Sequence, residues 1–307
     1  MDPKTYREQY SAELAATASV SRRAGNAAAA APGVRTSVAE IGDRAAPVAA
    51  RVASIGEAAP DAVDHPTVMR VLLRVLGDAG ENDEVRSAAL SALQQNTFRS
   101  AEFQPYQADF VAALRVAATD DDPDLRERVL DLLSLNGDPY AQELLINGLR
   151  DPQTALVAPE LALRMIGYDV HAEHYDLLRE IVETSKKPKM RHLALKLLAA
   201  DSGAKDLFAR IAADPAETAA ARSTSAVALQ ALAPEEFNAM APGLMADDSA
   251  GSSVKATVLT AMSHGPGENP AEMAQLARDL SAPDQASSPV KSAARRFLQV
   301  TEDDAGH

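Results

Sequence analysis

Apolar residues recur along most of the chain at the spacing of one helix face, with short polar turns between the segments. Phe110, Leu114 and Ala117, for example, form such a stripe within 107–119. Similar stripes occupy 141–151, 174–185, 204–214 and 270–280. Alternating runs of β-branched residues, from which a large sheet would be built, are few. The pattern predicts an all-α protein.

A second set of segments shares one internal pattern. Each segment has a basic residue, a small or β-branched residue three positions later, and an apolar residue seven positions later. The clearest copies are DEVRSAALSAL at 83–93 and PDLRERVLDLL at 123–133. The basic residues are Arg86, Arg126, Arg191, Arg222, Lys255 and Lys291. The copies recur about every 34 residues, which is the length of a two-helix unit.

Two further copies are weaker. The segment 151–167 places Ala155 in the basic position, and the segment 34–42 places Arg35 there. Pro159 falls inside the first of these copies, and an interior proline removes a helix hydrogen bond and kinks the axis. We therefore expect a bent or looser joint near 151–160.

A helix pair that repeats in this way cannot bury both of its apolar faces alone, so it stacks on its neighbours. We predict a right-handed α-solenoid of about seven to eight two-helix repeats over 33–300. An N-terminal amphipathic helix with an Ala-rich linker would occupy 1–32, and a flexible tail would occupy 301–307.

The pattern turn–Asp/Pro–x–(Val/Leu)–Arg–x–x–Ala–x–x–x–Leu resembles the HEAT/armadillo-like repeat family, most clearly in DDPDLRERVLDLL and ENDEVRSAALSAL. The resemblance covers 80–300. It implies that each block is the second, inner helix of a pair and lines a concave face. It also implies that the six basic residues form a structural ladder by bonding acidic turn residues of neighbouring repeats. A repeat family of this kind indicates a fold, not a function.

The N-terminal part differs from the rest. Tyr6, Tyr10 and Leu14 share one face of a predicted helix, which either caps the first repeat or docks on a partner. A heptad-like apolar seam then runs from Val34 to Ile55, with interruptions at Gly42 and Pro47. We interpret this stretch as two short helices that form a degenerate first repeat.

Composition narrows the function classes. The formal net charge is −14, which disfavours binding to nucleic acid or anionic membranes. The absence of cysteine excludes disulfides and thiolate metal sites. The one basic cluster, with Lys186, Lys187 and Lys189, is either a solvated turn or a small partner-contact patch. No apolar segment of spanning length is present, and together with the high Ala content this indicates a cytoplasmic, bacterial protein.

Two motifs are candidates for chemistry. His171 and His174 are three residues apart, but the zincin HExxH pattern is absent and the segment is typical of a polar turn. Asp120, Asp122 and Asp124 have the alternate spacing of a calcium loop, yet the sixth position is leucine instead of glycine. We interpret Asp122 as a helix N-cap instead, followed by proline in the first turn.

These observations favour a non-catalytic scaffold, monomeric or homodimeric, without metal or cofactor. It would bind a protein partner with a basic surface on the concave face. The alternative is an enzyme or lyase-like accessory protein that holds a small molecule inside the superhelix. A deep pocket with convergent His, Asp or Tyr side chains would favour that alternative.

Overall fold

A computed structural model describes residues 38–264, 271–282 and 288–305. Helices dominate these ranges, and no strand occurs within them, so the predicted all-α class is confirmed. The predicted helix and linker at 1–32 lie outside the described residues, as do Tyr6, Tyr10, Leu14 and Arg35.

First and second members of helix pairs alternate along the chain. The even-numbered helices below are the first members, and the odd-numbered helices are the second members. Residues 38–42 are helical and precede the first full helix. The odd-numbered helices, which from α3 onward overlap the copies of the repeated pattern, are α1 (Val48–Ala58), α3 (Asp83–Thr97), α5 (Pro123–Leu135), α7 (Pro159–Ile166), α9 (Pro188–Leu197), α11 (Ala219–Leu232), α13 (Ser252–His264) and α15 (Ser288–Ala305). The even-numbered helices are α2 (Pro66–Gly77), α4 (Gln107–Ala117), α6 (Pro139–Arg150), α8 (Tyr175–Thr184), α10 (Lys205–Ala213), α12 (Pro234–Ala246) and α14 (Ala271–Ser281).

Helix α5 shows how local sequence sets these boundaries. The Asp122 side chain accepts hydrogen bonds from the backbone N–H groups of Asp124 and Leu125, and Pro123 is the first helical residue. The N-cap prediction is therefore confirmed, and this carboxylate serves the helix start. The helix ends at Leu135, and beyond it Gly137 has a φ of 64°, which allows the Asp138 N–H to donate to the Leu133 carbonyl at 3.0 Å.

The prediction of an interior proline in the 151–167 copy is wrong. Pro159 is the first residue of α7, where its missing N–H removes no intrahelical bond. Ala155 lies before α7, in the segment that follows a short 3₁₀ turn. That segment packs closely on α6, because a Cβ added to Gly148 would lie 2.9 Å from the Ala155 Cα.

The chain divides into two compact units, Met1–Asp169 and Val170–His307. Within the first unit, α3 contacts both α1 and α5, α5 contacts α7, and α2 contacts α4. The buried side chains between these helices include Leu72, Leu90 and Leu130. Phe103 and Phe110 meet edge to face with ring centroids 5.5 Å apart.

The second unit has the same succession of neighbours. Here α11 contacts both α9 and α13, α13 contacts α15, and α12 contacts both α10 and α14. Phe208, Phe237 and Phe297 are fully buried, one in each of α10, α12 and α15. Each unit is therefore built from helices that contact both the next helix and the one after it.

Candidate functional site

The basic residues of the repeat occupy one position in the helices. Arg86 is the fourth residue of α3, and Arg126, Arg191 and Arg222 are the fourth residues of α5, α9 and α11. Arg51, which the repeat pattern in the sequence did not identify as one of these basic residues, is the fourth residue of α1. At α7 the fourth residue is Ala162, so the assignment of Ala155 to this position was wrong.

In the first unit, this arginine joins three parts of the chain. The Nε and Nη2 groups of Arg86 both donate to the Leu76 carbonyl at 3.2 Å, in the last turn of α2. Its Nη1 donates to the carboxylate of Asp120, in the turn between α4 and α5. Arg51 similarly donates to the Ile41 carbonyl at 2.8 Å and to Glu81 at 2.6 Å. We call this arrangement the arginine clamp.

The clamp recurs in the second unit. Arg191 donates to the Val182 carbonyl at 2.7 Å and to Glu217 at 2.6 Å. Arg222 donates to the Ala212 carbonyl at 3.0 Å and to Asp247 at 2.6 Å. The carbonyls in the last turn of a helix have no intrahelical partner and carry partial negative charge. A planar guanidinium with five donors can satisfy such a carbonyl and a carboxylate together.

Two of the basic positions, Arg126 and Lys255, differ from the clamp. Arg126 donates to the backbone carbonyls of Leu156 at 2.8 Å and Asp120 at 2.5 Å, with carbonyls in place of a carboxylate. Lys255 of α13 makes no side-chain hydrogen bond or ion pair with the described residues. Lys291 is the fourth residue of α15.

The clamps perturb the ionisation of their carboxylates. The hydrogen bond from Arg51 lowers the pKa of Glu81 below its ordinary value. Hydrogen bonds from the Ser249 hydroxyl and from Arg222 lower the pKa of Asp247 to about 2. These groups are occupied by structural contacts within the chain.

A different set of side chains is exposed on α3 and α5. An open cleft of about 540 Å³ lies between the N-terminal parts of these helices. It is lined by Asp83, Glu84, Ser87, Asp122, Asp124, Glu127 and Arg128. Five carboxylates face one guanidinium here, so the cleft carries a strong local negative charge.

Three large apolar side chains lie at the C-terminal ends of α3, α5 and the next helix in this row, α7. Phe98 follows α3 and is 90% exposed, Leu135 ends α5 and is 57% exposed, and Tyr168 follows α7 and is 50% exposed. The Tyr168 hydroxyl donates to Asp131 at 3.0 Å, which raises the pKa of Tyr168. The acidic cleft and these three residues together define what we call the α3–α7 face.

The predicted lysine patch is spread over a turn and a helix start. Lys186 and Lys187 lie between α8 and α9, and Lys189 is the second residue of α9; all three are exposed. The rings of His171 and His174 meet edge to face, with centroids 6.0 Å apart. Within the described ranges, no group of three or more His, Asp or Glu side chains is placed to hold a metal ion.

Comparison of the sequence with protein-family models gives no match, and comparison with curated proteins gives no significant relative. Among the helices of the described ranges, none combines the length and apolar character needed to cross a membrane. The α3–α7 face is accordingly the site that the geometry itself brings forward.

Proposed function

We propose that the chain is a HEAT-like scaffold that binds a protein partner carrying a basic segment. The observation that carries this proposal is the acidic cleft between α3 and α5, where five carboxylates, four of them exposed, face one arginine. Such a surface steers a positively charged partner and repels phosphate backbones.

The repeated clamp supports the scaffold part of the proposal. Arginine clamps in both units join the end of one helix, the start of the next and the following turn. The same position of the second helix is therefore held by equivalent contacts in both units. On this basis we propose a solenoid of seven to eight repeats. We also propose, from the composition, that the protein is bacterial and cytoplasmic.

The dimensions of the face suit a peptide segment. Fourteen residues separate Glu84 from Phe98, which corresponds to about 20 Å along a helix. Three neighbouring helices at 8–10 Å spacing span about 20 Å in the other direction. This area is smaller than the surface of about 800 Å² per partner in a standard domain–domain interface.

Affinity capture from the native host tests the proposal. The wild-type chain is compared with a cleft variant that carries Glu84→Gln, Asp124→Asn and Glu127→Gln. The matched control carries Glu57→Gln, Asp61→Asn and Glu143→Gln, three exposed carboxylates outside the cleft. Asp122 stays unchanged because it caps α5.

We expect the wild type and the control to retain the same protein and the cleft variant to retain at least tenfold less. Raising the salt concentration should weaken retention, because exposed charges are screened. Enrichment of no protein, together with a co-purifying small molecule, would instead support the alternative of an enzyme or lyase-like protein.

A further inference from the structure

Among residues 38–169, Phe98, Leu135 and Tyr168 are the most exposed large apolar side chains. All three lie at the C-terminal ends of second helices, and contacts join α3 to α5 and α5 to α7. Large apolar groups at the C-terminal ends of adjacent helices can form an exposed row, which is a feature of interaction sites.

Hydrogen bonds fix how these helices are aligned. Arg128 of α5 donates to the Ser91 hydroxyl at 3.1 Å and to Gln94 at 3.3 Å, both on α3. Asp131, three residues further along α5, accepts from Tyr168. The register of α5 against both neighbours is therefore set within two turns of Leu135.

The residues that make these hydrogen bonds lie on the same helix stripes as the exposed apolar residues. Ser91, Gln94 and Phe98 follow one another at i, i+3 and i+7, and Phe98 retains helical dihedral angles. On α5, Arg128 and Leu135 have the same spacing of seven residues. Phe98 and Leu135 therefore lie on the stripes by which α3 and α5 face each other, one to two turns beyond Arg128.

The same stripes begin in the acidic cleft. Glu84 and Ser87 precede Ser91 on α3, and Asp124 precedes Arg128 on α5; all of these except Ser91 line the cleft. Each helix thus exposes carboxylates at its N-terminal end, polar groups in its middle and a large apolar group at its C-terminal end. The α3–α7 face is polarised in one direction.

We propose that the α3–α7 face binds a cationic amphipathic helix of a protein partner. Its large apolar side chains would cover the row of Phe98, Leu135 and Tyr168, and its Lys or Arg side chains would point toward the cleft. Neighbouring helices are 8–10 Å apart, which is close to the spacing of residues i and i+7 on a partner helix. This proposal rests on the proposed scaffold function and specifies the chemistry of the partner.

Charge complementarity selects the protein partner. A basic amphipathic helix can bind both parts of the α3–α7 face, because its basic side chains complement the acidic cleft and its apolar side chains cover the apolar row. An anionic lipid surface could cover the apolar row only by bringing phosphates toward Asp124 and Glu127, which repel them.

A labelled peptide tests the proposal on the full-length protein. The probe is a helical Leu/Lys peptide of about 15 residues with leucine at i, i+3, i+4 and i+7, measured by fluorescence anisotropy. A peptide of the same composition in scrambled order has the same charge without an apolar face. The apolar variant is Phe98→Ser with Leu135→Ser, and Val227→Ser is the control at another exposed apolar residue.

We expect the apolar variant and the cleft variant each to bind the amphipathic peptide at least fivefold more weakly than the wild type. The Val227→Ser control should bind it unchanged, and the scrambled peptide should not distinguish the apolar variant from the wild type. Circular dichroism should show unchanged helix content, since Phe98 and Leu135 are exposed. Equal binding of the amphipathic peptide by wild type and apolar variant would overturn the proposal.

Vesicles of phosphatidylglycerol and phosphatidylcholine form a second arm. Vesicle binding that disappears in the apolar variant would overturn the proposal in favour of a membrane surface. If the apolar and cleft variants both retain a native partner as strongly as the wild type does, the partner does not bind this surface, while the scaffold function stands. If no protein is captured at all, the scaffold function fails, and the proposal fails with it.

Discussion

Arg86 and Arg222 occupy the same helix position in the two units, yet their carboxylates lie in different surroundings. Both arginine side chains are almost fully buried, with 1% and 2% exposed. Asp120, the partner of Arg86, is 4% exposed, whereas Asp247, the partner of Arg222, is 28% exposed. One clamp therefore lies entirely in the interior, and the other reaches water through its acid.

The difference shows that one sequence position can have unequal energetic consequences. A buried ion pair adds little net stability, because both charges lose their hydration, but removal of one partner leaves the other charge uncompensated. A carboxylate in contact with water can be rehydrated after its partner is lost. Of the basic residues compared at this helix position, we expect Lys255 to matter least for stability, since it makes no ion pair with the described residues.

Replacement of Arg86 by alanine should have the largest effect. The Leu76 carbonyl would lose its donor, and the buried Asp120 carboxylate would lose its ion-pair partner and keep one hydrogen bond, from the Asp122 N–H. We therefore expect the free energy of unfolding to fall by about 3–5 kcal/mol. Urea denaturation followed by circular dichroism measures this change. The double replacement Arg86→Met with Asp120→Asn should be less destabilising than Arg86→Ala; an equal or greater loss would show that charge burial does not govern this clamp.

Replacement of Arg222 by alanine should have a smaller effect. The Ala212 carbonyl loses a buried donor, but Asp247 remains hydrated and keeps its hydrogen bonds from Ser249. We expect a loss of about 1.5–3 kcal/mol, as for other hydrogen bonds that involve a charged group. The same urea titration measures it. A loss equal to that of Arg86→Ala would remove the distinction between the two clamps.

The acid side of the stability profile should report Asp247. Its pKa lies at about 2 in the folded chain against an ordinary value of 3.8, so the unfolded state binds a proton first as the pH falls. The stabilisation is present above about pH 4 and is lost between about pH 4 and 2. The melting temperature of Asp247→Asn should therefore lie below that of the wild type at pH 6, with the gap closing toward pH 2.

Ser249→Ala serves as the companion variant in that experiment. Loss of the Ser249 hydroxyl, which donates to Asp247, should raise the carboxyl pKa toward its ordinary value. The acid loss of stability should then be smaller than in the wild type and should be complete at a higher pH, because the folded-state pKa lies closer to that of the unfolded chain. A gap between wild type and Asp247→Asn that does not change with pH would contradict this assignment.

The smallest effect is expected for Lys255→Ala. Its side chain has no described partner, so the free energy of unfolding should change by no more than about 0.5 kcal/mol. A differential denaturation measurement against the wild type detects a change of this size. A loss of 1 kcal/mol or more would show that Lys255 takes part in a contact that its placement does not reveal.

Local signals made much of the architecture predictable. Asp122 and Pro123 identify the start of α5 in the sequence, since an N-cap followed by proline needs no tertiary information. The clamp register was harder to infer, because the position depends on where a helix begins. Arg51 was missed because Pro47 was read only as a break in an apolar seam, although it is the N-cap residue of α1.

The candidate site was less predictable than the fold. The five cleft carboxylates are visible in the sequence as ordinary first-turn residues, and nothing in their spacing shows that α3 and α5 bring them together. Phe98, Leu135 and Tyr168 are similarly unremarkable as single apolar residues in the sequence. Their exposure depends on which helix covers which, and this is decided by tertiary packing.

The reach of the hydrogen bonds has a consequence for synthesis of the chain. Arg86 needs Asp120, 34 residues later, and three further side-chain hydrogen bonds each span 37 residues. Contacts of such short sequence separation give a low contact order, which is associated with rapid folding. On the ribosome, each clamp can close once roughly one further helix pair has emerged, so the helices around Arg51 and Arg86 can pack while the last helices are still being translated.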